Sequence, residues 1–455
     1  MSALSVLVMV TRIEAGQRSS HSAAFLTTPS LRLASNHRSS VQGLPRTVMT
    51  ATPIDKRQER RRIISSENFN RRGFKEAEEE VQGMMAEEFT SDLVKQLREN
   101  NYVLERNNVV IKLAKSYGFC WGVDRAVALA YEARKFYKDD KIHITNEIIH
   151  NPSVNTRLRQ MDINFIGLKD GEKDFSDVKK GDVVILPAFG ASLPEMQLLD
   201  AKGVKIVDTT CPWVSKVWNA VDAHTRKDMT SVIHGKWAHE ESIATASFAD
   251  TYLIVKDIHE AEYVADYILN GGDKAEFMRK FKNAMSEGFD PDTDLDKVGI
   301  ANQTTMYKEE TAAIAKLFER TMLRKFGPQE VNSHFMSLDT ICDATQERQD
   351  AISELLDDKS LDLVLVIGGF DSSNTGHLLE IAEMRGVRAY HIDLASRIRP
   401  DGSIEHRHVD GTIEVTPGFL PAGRVTVGVT SGASTPDATV EEVMEQLFLL
   451  KAVTA

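Results

Sequence analysis

The chain has 455 residues but only three cysteines, Cys120, Cys211 and Cys342. They are too few and too far apart for a disulfide framework, and no CxxC pair indicates a zinc ribbon or a thioredoxin-type site. Apolar runs are short as well, and the best candidate, LVLVIGGF, has the length of a strand. A net charge of −12 argues against a nucleic-acid binder. These absences predict a globular protein of a reducing compartment, with no membrane span and no nucleic-acid partner.

The first 54 residues contain no lysine and a single acid, Glu14, but five arginines and many serines. This composition is typical of an organelle transit peptide. It predicts that residues 1–54 are disordered and are removed on import into a plastid or a mitochondrion. The alternatives are a disordered tail without a targeting role and a short signal segment around ALSVLVMV.

Residues 55–108 form a charged extension with one predicted helix, TSDLVKQLREN, and we expect this extension to be solvated and to pack on the rest at most. From residue 109, short β-branched runs alternate with segments of helical period, which is typical of parallel α/β sheets. This pattern predicts three α/β lobes, at 109–211, 212–338 and 339–455. The middle lobe carries a predicted insertion near 258–295, with a helix and an acidic turn.

Each cysteine follows a predicted strand and precedes a predicted helix, at the sheet edge where ligands bind. A single cysteine is often just a small buried apolar residue. Three together, with helix N-termini favouring the thiolate form, would suit a metal ion or an iron–sulfur cluster. A complete cluster set is four thiolates, so one iron would stay open for a substrate oxygen.

Polar loops follow several other predicted strands. The motifs NEIIHNPSV, HGKWAHEES and ANQTTM contain His150, then His239 and Glu241, then Thr304 and Thr305. The loops FDSSNTG and TSGASTPD precede helices, as anion sites at helix N-termini do. Their candidate ligands are Ser372, Ser373, Asn374 and Ser434. A lone histidine is more often structural, and serine is a routine helix cap, so each residue alone leaves both interpretations open.

Eight motifs taken together resemble the 4-hydroxy-3-methylbut-2-enyl diphosphate reductase family, from about Val109 to the C-terminus. In the order of that family they are YGFCWGVDRAV, NEIIHN, VDTTCPWVSKV, HEES, NQTTM, ICDATQERQDA, SSNT and TSGASTPD. The extension with FNRRGF, the insertion and the stretch GFCWGVDRA resemble the plant and cyanobacterial branch rather than the shorter bacterial members.

This resemblance implies a cloverleaf of three α/β lobes with mostly parallel sheets around one central 4Fe–4S cluster per chain. It implies reduction of (E)-4-hydroxy-3-methylbut-2-enyl diphosphate, by two electrons, to isopentenyl and dimethylallyl diphosphate. That reaction is the final step of the non-mevalonate (MEP) isoprenoid pathway. Reduced ferredoxin would be the electron donor, and the chloroplast stroma would be the location.

The resemblance also implies a role for each candidate residue. Cys120, Cys211 and Cys342 would hold the cluster. Glu241 would be the proton source, with Thr304 relaying protons and holding the substrate hydroxyl. The remaining substrate contacts would be His150, His239, Thr305, Ser372, Ser373, Asn374 and Ser434. His239 is also expected among the catalytic residues.

One position departs from the bacterial pattern. Where many bacterial members carry a histidine that contacts the diphosphate, this chain has Phe189, which cannot donate a hydrogen bond. We therefore expect His150, His239 or the serine loops to carry more of the diphosphate binding.

Two other functions remain open from the sequence. One is a 4Fe–4S hydro-lyase, which also uses an open iron but needs no electron donor. The other is a structural metal or cluster protein, such as a sensor, which would have no use for two anion loops facing the cysteines.

Overall fold

Three sheets organise the part of the chain that the structure, a computed structural model, describes, residues 55–454. The predicted transit peptide, residues 1–54, lies outside the described residues. Within the described part, none of the helices combines the length and the apolar character needed to cross a bilayer.

Helices and strands alternate along almost the whole described chain. Up to residue 208 the elements are α1 (Lys56–Ile64), β1 (Phe69–Asn70), α2 (Lys75–Phe89), α3 (Asp92–Glu99), β2 (Val103–Arg106), β3 (Val109–Leu113), α4 (Trp121–Phe136), β4 (Ile142–Ile144), α5 (Pro152–Gln160), β5 (Ile163–Phe165), β6 (Leu168–Lys169), β7 (Glu172–Lys173), β8 (Val183–Leu186), α6 (Leu193–Lys202) and β9 (Lys205–Asp208). The later elements are α7 (Pro212–Thr225), β10 (Thr230–His234), α8 (Glu240–Ser247), β11 (Tyr252–Val255), α9 (Ile258–Asn270), α10 (Lys274–Lys280), β12 (Val298–Asn302), α11 (Lys308–Phe326), α12 (Val331–His334), β13 (Phe335–Ser337), α13 (Asp343–Leu356), β14 (Leu363–Ile367), α14 (Ser373–Met384), β15 (Ala389–Ile392), β16 (Ser403–Arg407), β17 (Ile413–Pro417), β18 (Val425–Ser431) and α15 (Asp437–Thr454).

The three larger sheets have parallel centres, while β6 and β7 form a separate two-stranded antiparallel sheet. The first has the order β1-β9-β8-β4-β5 and is parallel throughout. The second, β11-β10-β12-β13, is also parallel throughout. The third has the order β17-β16-β15-β14-β18-β3-β2, with antiparallel pairs only towards its edges. The mostly parallel α/β fold expected from the sequence is confirmed.

The central strands are short apolar runs because helices cover both faces of each sheet. Every residue of β8 and of β14 is buried. Such continuous burial is typical of parallel sheets and explains why these strands do not alternate apolar with polar residues. In the parallel parts of the sheets, strands such as β3, β9, β10, β12 and β14 are each followed by a loop and then a helix.

The placement of β3 corrects one part of the predicted division into lobes. Residues 109–211 were expected to form one lobe, but Val109–Leu113 pairs in parallel with β18, near the C-terminus. A buried apolar run identifies a central strand without specifying its partner, and neighbours in sequence were the simpler choice. The other lobe boundaries remain predictions.

The expectation that residues 55–108 only pack on the rest was also wrong. β1 extends the first sheet beside β9, and β2 extends the third sheet beside β3. In α2 the residues Ala77, Val81, Met85 and Phe89 are buried, at a spacing of four that places them on one helix face. The many charged residues between them hid this apolar stripe from the sequence analysis.

The predicted insertion near 258–295 is in part a regular element of the second lobe. Helix α9, which lies between strands β11 and β12 in the chain, packs against α11. Beyond it, Phe277, Phe281 and Phe289 are buried in the same apolar core. The predicted acidic turn is held by Lys274, whose Nζ lies 3.0 Å from the Asp292 carboxylate.

Candidate active site

One cavity collects all the site residues that the sequence predicts. It lies where the loops after β3, β4, β8, β9, β10, β12, β13, β14 and β18 meet, so all three sheets contribute their carboxyl ends. The three cysteines line it. The other predicted residues that line it are His150, His239, Glu241, Thr304, Thr305, Ser372, Ser373, Asn374 and Ser434. His234, from the same motif as His239, does not line this cavity and instead contacts Thr311.

Each cysteine is the N-cap residue of a helix. Cys120 precedes α4, Cys211 precedes α7 and Cys342 precedes α13. The Cys120 sulfur accepts a hydrogen bond from the Val123 backbone N–H at 3.4 Å. Pro212 fits the first turn of α7 because its missing N–H would have had no helical partner there. The strand–cysteine–helix pattern of the sequence is therefore present three times around one cavity.

The first turn of α4 is open enough for the cysteines to converge. A Cβ atom on Gly122 would lie 2.5 Å from the Cys211 sulfur and 4.0 Å from the Cys120 sulfur. Any side chain at position 122 would collide with Cys211. Glycine thus lets the loop after β9 bring its sulfur against the helix that Cys120 caps.

Burial has a larger effect than the helix N-termini on the protonation state of two of the thiols. Burial raises the pKa of Cys211 to about 12, although backbone N–H groups of α7 lower it, and the neighbouring cysteines raise it further. Burial likewise raises the pKa of Cys342. The helix ends do lower the pKa of these thiols, as expected, but burial has the larger effect, so both thiols stay protonated in the protein alone. A bound metal cation would supply the missing positive charge, since a coordinating thiol is deprotonated.

The spacing of the sulfurs bears on which metal group fits. Within residues 55–454, three or more ligand atoms of His, Cys, Asp or Glu lie within 4.8 Å of one another only at His406, His408 and Glu414. That group lies on the β16–β17 hairpin, where His408 pairs with Glu414 at 2.8 Å and His406 contacts Thr416. The three sulfurs therefore do not all lie within 4.8 Å of one another, as the ligands of a single ion would. A cluster fits this spacing because each thiolate then binds a different iron.

Glu241 lies beside the cysteines as a buried carboxylic acid. It is 2% exposed, at the start of α8. Burial raises the pKa of Glu241 to about 7, against hydrogen bonds from Thr304 that lower it. The Thr304 backbone N–H donates to Oε1 at 2.6 Å, and its hydroxyl donates to Oε2 at 3.0 Å. The acid can therefore hold a proton near neutral pH at a fixed position.

Two histidines form the next part of the wall. His239 is the N-cap of α8, and its Nδ1 accepts from the Glu241 N–H at 3.1 Å. Burial lowers the pKa of His239 to about 3, so its ring is neutral and Nε2 carries the proton. The His150 Nδ1 lies 3.1 Å from the Glu147 carboxylate, while its buried Nε2 has no partner. Both rings thus offer a nitrogen to a ligand.

Phe189 has a structural relation to the diphosphate-binding candidates that the sequence did not indicate. Its ring stacks on His150, with centroids 5.0 Å apart and planes inclined by 10°. His150 in turn meets His239 edge to face at 5.6 Å. Phe189 cannot bond an anion, but it fixes the ring that can.

The two serine loops follow the neighbouring parallel strands β14 and β18 and contact each other. Ser372 is the N-cap of α14, and the Asn374 side-chain oxygen accepts from the Ala433 N–H at 2.9 Å. The Asn374 side-chain nitrogen is buried without a partner. Ser434 donates to the His150 carbonyl at 3.3 Å, which joins this pair of loops to the first sheet. Hydroxyl and amide donors therefore face the cavity beside two helix N-termini.

The sequence analysis missed the support of the Cys211 loop. Arg71, from the charged extension, forms an ion pair with buried Asp208 at 3.1 Å. The other Asp208 oxygen accepts from the Thr210 backbone N–H at 3.0 Å. Arg125 donates to the Arg71 carbonyl at 2.8 Å. The motif FNRRGF, which contains Arg71, was the available signal, but its partner is 137 positions away in the chain and could not be read from it.

A model of the LytB protein family matches residues 111–448. The chain belongs to the LytB family. Two relatives named 4-hydroxy-3-methylbut-2-enyl diphosphate reductase, from Picosynechococcus sp. and Microcystis aeruginosa, are 58% and 59% identical over 402 and 399 residues. Each alignment covers 88% of this LytB chain and 99% of the relative. The resemblance found in the eight motifs is thereby confirmed.

The fold of this LytB protein has a counterpart among solved structures. The E-1-hydroxy-2-methyl-but-2-enyl-4-diphosphate reductase from Plasmodium falciparum matches with a TM-score of 0.55 at 23% identity. The match covers 74% of this chain and 87% of that chain. At this identity the likeness concerns the fold alone, and it agrees with the three-lobed α/β architecture.

Proposed function

We propose that this chain is an oxidoreductase that converts (E)-4-hydroxy-3-methylbut-2-enyl diphosphate to isopentenyl and dimethylallyl diphosphate. The substrate gains two electrons and two protons and releases its hydroxyl as water. One observation carries the proposal: three thiols, a buried carboxylic acid and a row of anion donors line the same cavity. The names of the cyanobacterial relatives support the same reaction, the last step of the non-mevalonate isoprenoid pathway.

The cofactor of this proposal is one 4Fe–4S cluster per chain, held by Cys120, Cys211 and Cys342. The spacing of the sulfurs and the need of the buried thiols for a cation support it. When bound, the cluster supplies single electrons and a Lewis-acidic iron that lacks a protein thiolate. The chain positions these sulfurs through three helix caps and Gly122.

Glu241 is the proposed proton source. Its raised pKa, about 7, keeps a useful fraction of the acid protonated at neutral pH. Thr304 holds the carboxyl through two hydrogen bonds and places its own hydroxyl 3.0 Å from Oε2. A proton can pass from Glu241 through this hydroxyl to a leaving oxygen, because Thr304 both donates and accepts.

The proposed diphosphate site relies on neutral donors and not on cations. Among the described residues that line the cavity, none is lysine or arginine. The candidate contacts are His150, His239, Thr305, Ser372, Ser373, Asn374 and Ser434. The N-termini of α8 and α14 add partial positive charge from the helix dipoles, which suits phosphate oxygens. Unpartnered nitrogens on His150 and Asn374 are the strongest support for a polar ligand here.

The donor and the location complete the proposal. Reduced ferredoxin in the chloroplast stroma is the proposed electron source. The arginine- and serine-rich composition of residues 1–54 and the cyanobacterial relatives support a plastid location after removal of a transit peptide.

Anaerobic assay of the purified chain tests the function directly. The cluster-loaded protein is mixed with the hydroxylated allylic diphosphate, with and without a one-electron reductant, and the products are identified by mass spectrometry. Formation of both isomeric diphosphates only with reductant is the expected result. Turnover without reductant would indicate a hydro-lyase, and a colourless zinc protein would indicate a structural metal site.

A further inference from the structure

A series of hydrogen-bonded polar side chains extends from Ser373, which lines the cavity, to His377, Glu380 and Tyr307, which do not. Glu380 and Tyr307 are half-buried. The Ser373 hydroxyl lies 3.4 Å from Nε2 of His377, and Nδ1 of His377 lies 2.6 Å from Oε2 of Glu380. The Tyr307 hydroxyl donates to the same Glu380 oxygen at 2.7 Å. His377 is 3% exposed, and the Tyr307 ring packs on it at 4.4 Å. The proposed reaction uses Ser373 but gives His377, Glu380 and Tyr307 no role.

The geometry of this hydrogen-bonded series indicates which of its atoms carry protons. Burial opposes ionisation of Glu380, but hydrogen bonds from His377 and Tyr307 leave its pKa lowered, so it is a carboxylate. Burial and the charge of Glu380 raise the pKa of Tyr307, which stays a phenol and donates. The Glu380 oxygen is therefore an acceptor, and Nδ1 of His377 must carry a proton to meet it. Only Nε2, the atom facing Ser373, is free to change.

The state of Nε2 decides where the Ser373 hydroxyl points. A neutral His377 accepts at Nε2, so the Ser373 proton points at the ring and its lone pairs are left for the ligand. A protonated His377 donates to the Ser373 oxygen, which frees the Ser373 proton for an acceptor in the cavity. A diphosphate there favours the second arrangement, because it needs donors and because negative charge on both sides stabilises the imidazolium.

We propose that His377 is a positioning residue that takes up a proton when the diphosphate binds and so turns the Ser373 hydroxyl towards it. The proposal rests on the proposed function, in which Ser373 contacts the diphosphate. It adds a source of positive charge to a site whose described lining has no lysine or arginine.

The other titratable groups near His377 do not compete for this role. His239, on α8, stays neutral because burial lowers its pKa to about 3. Lys236 is a cation close enough to lower the pKa of Glu380, and Glu310 acts on Tyr307 from α11. Neither contacts the Nε2 side of His377 by hydrogen bond. The substrate can also exchange protons itself, but it does so equally in every variant.

Calorimetry of substrate binding measures the proton uptake. The allylic diphosphate is titrated anaerobically into cluster-loaded wild type and His377→Gln, in buffers of different ionisation enthalpy between pH 6 and 8. Glutamine keeps an N–H donor near Ser373 but cannot become charged. We expect net uptake to be larger in wild type than in the variant. We also expect KM to rise roughly tenfold in His377→Gln, from loss of a charge-assisted hydrogen bond, with kcat little changed.

A double-mutant cycle separates positioning from general damage. If His377 acts through Ser373, the effects of Ser373→Ala and His377→Gln on KM are not additive. His143→Gln is the matched control, because His143 is also a buried histidine beside a carboxylate, Asp182 at 3.3 Å, but lies outside the cavity. It should leave proton uptake and KM unchanged.

Several results would overturn the proposed role of His377. Equal proton uptake in wild type and His377→Gln would do so, and so would additive effects on KM. If His377→Gln does not load iron, the Glu380→Gln variant is used instead. Glutamine has the shape of glutamate but no charge, so His377 loses the carboxylate that stabilises its protonated form. Proton uptake equal to wild type in Glu380→Gln would contradict the proposal. Wild-type turnover is measured in parallel. If these tests contradict the role of His377 while wild-type turnover is normal, the proposed reductase function is not affected.

Discussion

The two ends of the cavity present helix N-termini to proposed ligands of opposite charge. At one end, Cys120, Cys211 and Cys342 cap helices, and at the other end His239 and Ser372 do. A helix N-terminus by itself favours an anion. The histidine and serine end accords with that preference. At the cysteine end, burial keeps the thiols of Cys211 and Cys342 protonated, so sulfur ligands there require a cation. The capping side chain and its burial, more than the helix end, select the ligand.

Removing a sulfur should break this comparison most severely. In Cys211→Ser the helix keeps a good cap, but the metal group loses one of its three thiolates. We expect iron and acid-labile sulfide per chain to fall sharply and turnover to drop to background. Circular dichroism should remain close to wild type, since the cap and the strand before it persist. Full iron content with normal visible absorption in this variant would contradict the cluster assignment.

Glu241→Gln tests the acid that lies between the two ends. Glutamine fills the same space but cannot deliver a proton, so turnover should fall by on the order of 10²-fold or more. Iron content should not change. In the proposed mechanism the acid form is the active one and the pKa of Glu241 is about 7, so wild-type turnover should decline as the pH rises through that value. The measurement is turnover against pH under anaerobic conditions.

Glu240→Gln is the control for that variant. Glu240 is the neighbouring residue but lies outside the cavity, 3.4 Å from Lys173. Its replacement should leave both turnover and the pH profile as in wild type. Near-normal turnover in Glu241→Gln with the cluster intact would rule out the acid role.

Much of the cavity was accessible from the sequence because its residues sit in short loops between predictable elements. Cys120, His150 and Ser372 each follow a strand that the sequence predicts, and the apolar run is clearest in β14, before Ser372. Parallel sheets place such loops at one edge, so their convergence follows from the fold class. The family resemblance then gave the roles, which the residue types alone left open.

The contacts that the sequence could not give are those between distant segments. Strand β3 pairs with β18 across more than three hundred residues, and an apolar run does not encode its partner. Arg71 meets Asp208 in the same way. The pKa of Cys211 also depends on burial, which outweighs the pKa-lowering effect of the helix N-terminus. The extent of burial is not evident from the sequence.

The support of the cysteine end should give a moderate effect when it is removed. Arg71→Ala deletes the partner of Asp208, whose carboxylate also holds Thr210, next to Cys211. Asp208 is buried but Arg71 is partly exposed, so we expect a loss of about 1–2 kcal/mol in the free energy of unfolding. Iron should also be released faster to a chelator. Arg72→Ala, at an exposed neighbour, is the control, and equal behaviour of the two variants would refute this support.

The smallest effect is expected at the diphosphate end, where Phe189 holds His150 only by stacking. The ring pair, with centroids 5.0 Å apart, contributes in the range of about 0.5–1.5 kcal/mol for aromatic contacts. Phe189→Ala should therefore raise KM by a few fold and leave kcat and iron content unchanged, because His150 keeps its Glu147 contact. Phe189→Tyr retains the stack and should keep the wild-type KM. If Phe189→Ala instead lowered iron content, the two ends of the cavity would not be independent, and the separation of cation and anion ligands drawn from their caps would fail.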